Sequence, residues 1–184
     1  MVKIIKKIFK AIKAFFWYLI NGCLPVGKSA RELRIYDFIK TNTGKAIDFD
    51  GHFGAQCVDL VRLFWRDVEK IPQPEPTGTD GAISFFDNHY FRPIQKKHLK
   101  RVSFEKGMIP PAGAVVVFVP IPTNRFGHMG ICVEANSEGI SLFEQNGTAN
   151  TRALAEGREQ AGAFIGNWNY DRVRGWLLPK KLKL

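Results

Sequence analysis

Asp48-Phe-Asp-Gly-His-Phe-Gly-Ala-Gln-Cys57-Val-Asp59-Leu-Val61 is the stretch on which the fold turns. Its first half is rich in glycine and aspartate and reads as a loop. Its second half opens a helix, because Val58, Leu60, Val61, Phe64, Trp65 and Val68 recur at helical spacing between Ala55 and Val68. Pro72, Pro74 and Pro76 then stop it. Cys57 therefore falls at the predicted start of a helix. There the unpaired backbone N–H groups and the helix dipole favour an anion, which stabilises a thiolate.

Upstream, Ser29-Ala-Arg-Glu32 has the form of a capping box, and Leu33, Tyr36 and Phe38 or Ile39 continue a helical stripe that ends near Gly44. The spacing predicts a helix over residues 30–41. Downstream the period changes. Ala114-Val-Val-Val-Phe-Val119 is rich in β-branched residues and reads as a buried strand. His128 to Val133 and Ile140 to Phe143 follow as strands joined by the turn Asn136-Ser-Glu-Gly139, and a last strand runs through Val173 to Leu178. Helices first and an antiparallel sheet afterwards make an α+β layout.

The first 22 residues differ from the rest. Lys3, Lys6, Lys7, Lys10 and Lys13 share one side of a helix, while Ile4, Ile5, Ile8, Ile12, Phe15, Phe16 and Leu19 fill the other. A basic face opposite a bulky apolar one is the pattern of a helix lying in a membrane interface. Packing on the chain's own domain or on a partner is the second reading. A cleaved leader ending at Ile20-Asn21-Gly22-Cys23 is the third, weakened by an apolar run of only about eight residues. The chain thus divides into residues 1–28, a basic amphipathic helix and linker, and residues 29–184, an α+β domain.

Composition agrees with one domain and an appendage. Of 184 residues 45% are apolar and 24% charged, and 15 Phe with 4 Trp promise an aromatic core. The net charge of +10 favours an anionic partner: nucleic acid, an anionic leaflet or a phosphate-bearing wall polymer. A nucleic-acid role needs aromatic platforms or a groove-reading helix, and neither motif is present. The basic runs Lys96-Lys-His-Leu-Lys-Arg101 and Lys180-Lys-Leu-Lys183 read as solvated surface. Cys23, Cys57 and Cys132 are too few and scattered for a disulfide framework, and no Cys/His spacing suggests zinc. No uncharged apolar run reaches the roughly 18 residues of a spanning helix.

A cysteine nucleophile needs a base within hydrogen-bond reach and a third group to orient that base. His128 opens a strand after a loop containing Gly127; Glu144 closes the next strand, and Asn146 follows it. Antiparallel neighbours set the start of one strand beside the end of the other, which brings Glu144 within reach of His128. On periodicity alone a buried free cysteine and a structural histidine explain the same residues.

Four segments together carry more. The stretch 48–61 resembles the nucleophile segment of the CHAP family of cell-wall amidases and endopeptidases, a papain-like group related to NlpC/P60. Pro111 to Phe118 is similar to its next strand, Phe126-Gly-His128-Met-Gly-Ile131 to its histidine segment, and Phe143-Glu144-Gln-Asn146 to its acidic segment. They arrive in the family's order and span residues 30–178. The resemblance implies a papain-like α+β fold with Cys57 as nucleophile, His128 as base, Glu144 orienting the histidine and Asn146 assisting. One departure is Ala114, where the family usually has Asp; we expect altered loop anchoring. The Cys57 N–H is the natural oxyanion donor, with Gln56 a candidate for a second.

The resemblance also implies calcium. Some CHAP domains hold it through aspartates matching Asp48, Asp50 and Asp59 and through two carbonyls, here those of His52 and Gly54; carboxylates are the hard ligands calcium prefers. The alternative is that Asp48 and Asp50 cap turns while Asp59 pairs with a surface arginine. The function implied is peptidoglycan hydrolysis by acyl transfer at an amide bond, as an N-acetylmuramoyl-L-alanine amidase or a stem or cross-bridge endopeptidase. A phage lysin or virion-associated protein acting at the bacterial wall fits that design, with residues 1–21 meeting an anionic membrane or the particle. The competing reading is a membrane-active or structural particle protein built on a non-catalytic CHAP-like scaffold.

Overall fold

The computed structural model describes residues 29–73, 81–147 and 162–182. The basic helix expected over residues 1–21 and Cys23 lie outside the described residues.

Helix α1 spans Ala30–Asn42, α2 Cys57–Asp67, α3 Ala82–Asp87 and α4 Pro93–His98, with a 3-10 turn at His89–Phe91. The strands are β1 (Leu99–Ser103), β2 (Val115–Phe118), β3 (His128–Ala135), β4 (Ile140–Glu144), β5 (Phe164–Trp168) and β6 (Val173–Pro179). They form one antiparallel sheet in the order β1-β6-β2-β3-β4-β5. The expected α+β class holds. No helix among the described residues is long and apolar enough to cross a membrane.

The capping box at α1 forms as read: Glu32 N–H donates to Ser29 Oγ at 3.2 Å, and Ser29 N–H to Glu32 Oε2 at 2.8 Å. Helix α2 begins two residues later than its apolar stripe suggests. Gly54 is left-handed (φ 70°) and Gln56 extended (φ −111°, ψ 162°), so Ala55 stays in the loop and Cys57 becomes the first helical residue. The helix also ends at Asp67, ahead of the prolines, where Lys70 turns left-handed and Ile71 N–H reaches back to the Trp65 carbonyl at 2.9 Å.

Two of the strands escaped the periodicity reading, and both are edges. In β1, Leu99 is buried while Lys100 faces solvent, and Arg101 lies over the Tyr90 ring at 4.3 Å and donates to the Phe86 carbonyl at 3.0 Å. Charge on an exposed edge hides a strand's signature, and it also discourages edge pairing. In β5, Gly166 and Asn167 interrupt the β-branched pattern for the same positional reason.

The sheet has two covered faces because its side chains alternate. Val115, Val117, Met129, Ile131, Phe143 and Leu177 pack against the helices through Ile35, Phe38, Phe64 and Trp65. Phe38 meets Phe64 edge-on at 5.4 Å. Ala114, Val116, Phe118, Cys132, Leu142 and Trp176 build a second core on the opposite face.

Candidate active site

Register assembles the site. β2 pairs Phe118 with His128, β3 pairs Ile131 with Phe143, and β4 pairs Leu142 with Gly166. Counting in twos, His128, Glu144, Gly166 and Trp168 therefore project from one face of the sheet, with Trp168 opposite Ile140 at the start of β4 and its indole reaching along that face past Gly166 towards Glu144. His128 is only 6% exposed and Glu144 is fully buried. Gly127, with φ 70° and an added Cβ position against the Phe118 carbonyl, turns the chain immediately before His128.

Glu144 Oε2 hydrogen-bonds His128 Nε2. With Nε2–H donated to the carboxylate, Nδ1 is left to face Cys57, which hydrogen-bonds the imidazole. Burial opposes the charged ring, but the pairing with Cys57 and then with Glu144 outweighs it and raises the His128 pKa to about 10. Cys57 is half-buried at the first position of α2. Its own N–H belongs to the first turn, which has no intrahelical partner.

Two residues that the sequence reading left without roles hold this arrangement. Trp168 Nε1–H donates to Glu144 Oε1 at 2.8 Å, and its indole stacks on His128 with ring centroids 5.0 Å apart and planes at 18°. It comes from β5, the strand periodicity missed, so no motif announced it. Gln145, fully buried, donates from Nε2 to the carbonyls of Ile47 and Gln56, both at 2.6 Å, and accepts from Ile47 N–H at 3.0 Å. It ties the end of β4 to the residue before Cys57. Asn146 follows on the turn with φ 58°, a conformation asparagine tolerates better than most. The Gln56 side chain donates to the Phe53 carbonyl at 3.4 Å.

Loop anchoring at the family's departure is supplied from α1. Arg31 donates to the carbonyls of Ala112 (2.9 Å) and Gly113 (3.2 Å) and pairs with Glu69 at 2.6 Å. Ala114 itself is buried in the second core.

The acidic loop curls tightly, with Gly51, Phe53 and Gly54 all left-handed. Asp48 Oδ1 accepts from Gly51 N–H at 2.8 Å, and Asp50 Oδ1 from His52 N–H at 3.1 Å, so both cap turns. Asp59 pairs with no arginine among the described residues: it accepts from Gln56 N–H at 2.9 Å, while Arg62 pairs with Asp50 at 2.5 Å. Asp48, Asp50 and Asp59 nevertheless offer carboxylate oxygens all within 4.8 Å of one another. Burial first, and after it the charges of Asp50 and Asp48, push the Asp59 carboxyl up, against the Gln56 N–H. Two carboxylates of a loop that also carries His52 and Gly54, crowded against a third from the first turn of α2, are a donor set suited to a hard divalent cation.

The CHAP domain family matches residues 47–146 of the chain. Among solved structures, the wild-type endolysin LysIME-EF1 is similar at TM-score 0.52 and 20% identity, over 78% of this chain and 61% of that one. Ly7917 with the hydrolyzing product of MDP is similar at TM-score 0.53 and 14% identity, over 83% and 63%. The chain thus spans about three-fifths of the length of these structures, and the likeness is one of fold. No curated protein sequence matches the chain.

Proposed function

Because the chain belongs to the CHAP family, we propose that it hydrolyses peptidoglycan, cleaving an amide bond by cysteine-dependent acyl transfer. The observation that carries this reading is the contact chain Cys57–His128–Glu144, with the cysteine at a helix start. A scaffold without chemistry has no use for a buried imidazole held on one side by a carboxylate and on the other by a thiol. Similarity to an endolysin and to a protein solved with the hydrolyzing product of MDP supports the same substrate class.

In this mechanism Cys57 Sγ attacks the amide carbonyl carbon, and the oxyanion that develops is met by the Cys57 N–H. The C–N bond breaks as His128 Nδ1–H protonates the leaving amine. His128 then takes a proton from water, whose hydroxide attacks the thioester and releases the acid and the Cys57 thiolate, which restores the thiolate–imidazolium pair. Glu144 keeps the ring oriented and stabilises its charge throughout. Asn146 assists at the turn beside it.

Asp48, Asp50 and Asp59 would hold calcium through their carboxylates, with the carbonyls of His52 and Gly54 as further ligands that the family resemblance implies, and the ion would neutralise the carboxylates and brace the loop that leads into Cys57. Residues 1–21, with five lysines on one side of a helical pattern and bulky apolar residues on the other, would bring the enzyme to an anionic membrane or to a virion. A variant lacking residues 1–24 should keep wall hydrolysis and lose binding to anionic vesicles. The deciding experiment is mass spectrometry of purified walls after digestion. New amino and carboxyl termini name the bond, amidase or endopeptidase, and walls left without new termini would refute the hydrolase.

A further inference from the structure

The two late basic runs, separate in the sequence, form one patch. β1 and β6 pair with Leu99 opposite Pro179 and Lys100 opposite Leu178, and Lys180 N–H donates to the His98 carbonyl at 2.8 Å. That pairing brings the end of α4 beside the residues that follow β6. The turn after α2 and the outer side of α1 close the ring. Arg34, Lys70, Lys97, Lys180 and Lys181, all exposed, line one concavity of about 250 Å³, and Lys100 lines its neighbour.

Among the described residues no acid neutralises these cations. The acid on the wall, Glu69, is taken by Arg31 at 2.6 Å, and among the described residues none of the five makes an ion pair. Their charge reaches His98, whose pKa is lowered by burial first and then by Lys97, Lys181 and Lys180. Lys70 adds a second, independent sign. It stands at φ 53°, in the left-handed region where a helix end favours glycine, so a lysine is accommodated there against the local backbone preference. Clustered like charges destabilise the folded chain unless an anion offsets them.

The lining selects among polyanions. Its apolar members are Ile71, Pro179 and Leu182, and it carries no Phe, Tyr or Trp. Of its flat groups Arg31 is committed to Glu69, Ala112 and Gly113, which leaves His98 and Arg34 rather than a row of platforms for successive bases. The most exposed aromatic residues, Phe53 and Phe91, lie outside it and offer no apolar anchor for a bilayer there. What remains is a flexible chain of repeated phosphates, which lysines meet as point charges without demanding a fixed geometry. We infer that this concavity binds a polyol-phosphate polymer of the bacterial wall and holds the chain on its substrate, a role that rests on the wall-hydrolase reading. Pro179, the strand residue of this lining, lies on β6 two strands from β3, about 10 Å across the sheet at roughly 4.8 Å per strand. It is at the far end of β6 from Val173, which is level with His128, so the patch is separate from the cysteine site.

The test uses full-length Cys57→Ala protein, to prevent digestion, and walls bearing poly(glycerol phosphate) alongside the same walls stripped with hydrofluoric acid. Stripped walls should bind at least about tenfold more weakly, and adding Lys97→Ala with Lys181→Ala should lower the slope of log affinity against log salt by about two. Lys97→Arg with Lys181→Arg should restore it. With Cys57 intact, Lys97→Ala/Lys181→Ala should release new termini from stripped walls at the wild-type rate. Equal binding to both wall preparations, or an unchanged salt slope in the alanine variant, overturns the patch. So does displacement by duplex DNA or anionic vesicles at lower charge equivalents than poly(glycerol phosphate). Phosphate-dependent binding without any release of termini by wild type would sink the hydrolase while leaving the patch standing.

Discussion

Trp168 lies nearly parallel over His128, ring centroids 5.0 Å apart, while its Nε1–H is donated to the carboxylate that holds the same histidine. The indole thus acts on the imidazole twice, through its face and through Glu144. A π face over an imidazolium favours the charged ring, and a donor on the second carboxylate oxygen fixes which oxygen faces Nε2. Trp168→Phe keeps a ring for the stack and removes the donor. Leaving that buried oxygen without its indole partner costs about 1–3 kcal/mol, so kcat should fall roughly tenfold or more with KM little changed. A phenylalanine variant with wild-type kcat and pH profile would reduce Trp168 to packing.

Cys57→Ala should abolish wall hydrolysis, by about 10³-fold or more, with a melting temperature close to wild type. Iodoacetamide should label Cys57 well before Cys132, which is buried and whose thiol pKa is pushed up to about 12, first by burial. Equal labelling rates in the folded protein, read by peptide mass spectrometry, would contradict the site.

The His128 pKa is raised above the ordinary imidazole value of 6.5 to about 10. The sign follows: the stabilisation from this ring is complete below its ordinary value and is lost as pH rises through about 10. Activity that depends on the imidazolium should fall over the same alkaline limb. Glu144→Gln removes one charge that sustains the ring, so the limb should move about one to three units down in pH. A pH–rate profile of wall hydrolysis with coincident alkaline limbs would remove Glu144 from its role.

Chelation should lower the melting temperature if calcium occupies the aspartate cluster. At a free concentration of about 100 times Kd, a ligand bound only by the folded chain adds ~2.7 kcal/mol, or about 5 °C or more for a domain of this size. Asp48→Ala should abolish the response while sparing the Arg62–Asp50 pair. Differential scanning calorimetry with and without calcium reads this directly, and superimposable traces would leave three turn-capping carboxylates and no metal.

Gly166→Ala tests whether the register builds the site. A Cβ there would collide with Glu144 Oε1 and stand 3.3 Å from Trp168 Nε1. Gly166 leaves the room through which the indole reaches the carboxylate. Hydrolysis should drop by more than tenfold, with a destabilisation of about 1–3 kcal/mol from overpacking. Full activity in that variant would show that the indole–carboxylate contact is dispensable.

The sequence by itself determined the elements whose cause is local. The helical spacing around Leu60, Phe64 and Trp65, the Ser29–Glu32 box and the β-branched run at 115–118 each declare their structure within one or two turns of chain. The order of the segments holding Cys57, His128 and Glu144 was equally legible, because two adjacent antiparallel strands leave few ways to arrange them. Tertiary structure alone decided what depends on register and on edges. Strands β1 and β5 are built from charged and small residues that acquire strand geometry only by pairing with β6 and β4. Trp168 reaches Glu144 only because Leu142 pairs with Gly166, a relation across 24 residues that no local pattern encodes. Gln145, Arg31 and the basic concavity share that origin: each is a contact between distant segments, formed once the sheet has fixed which edges meet.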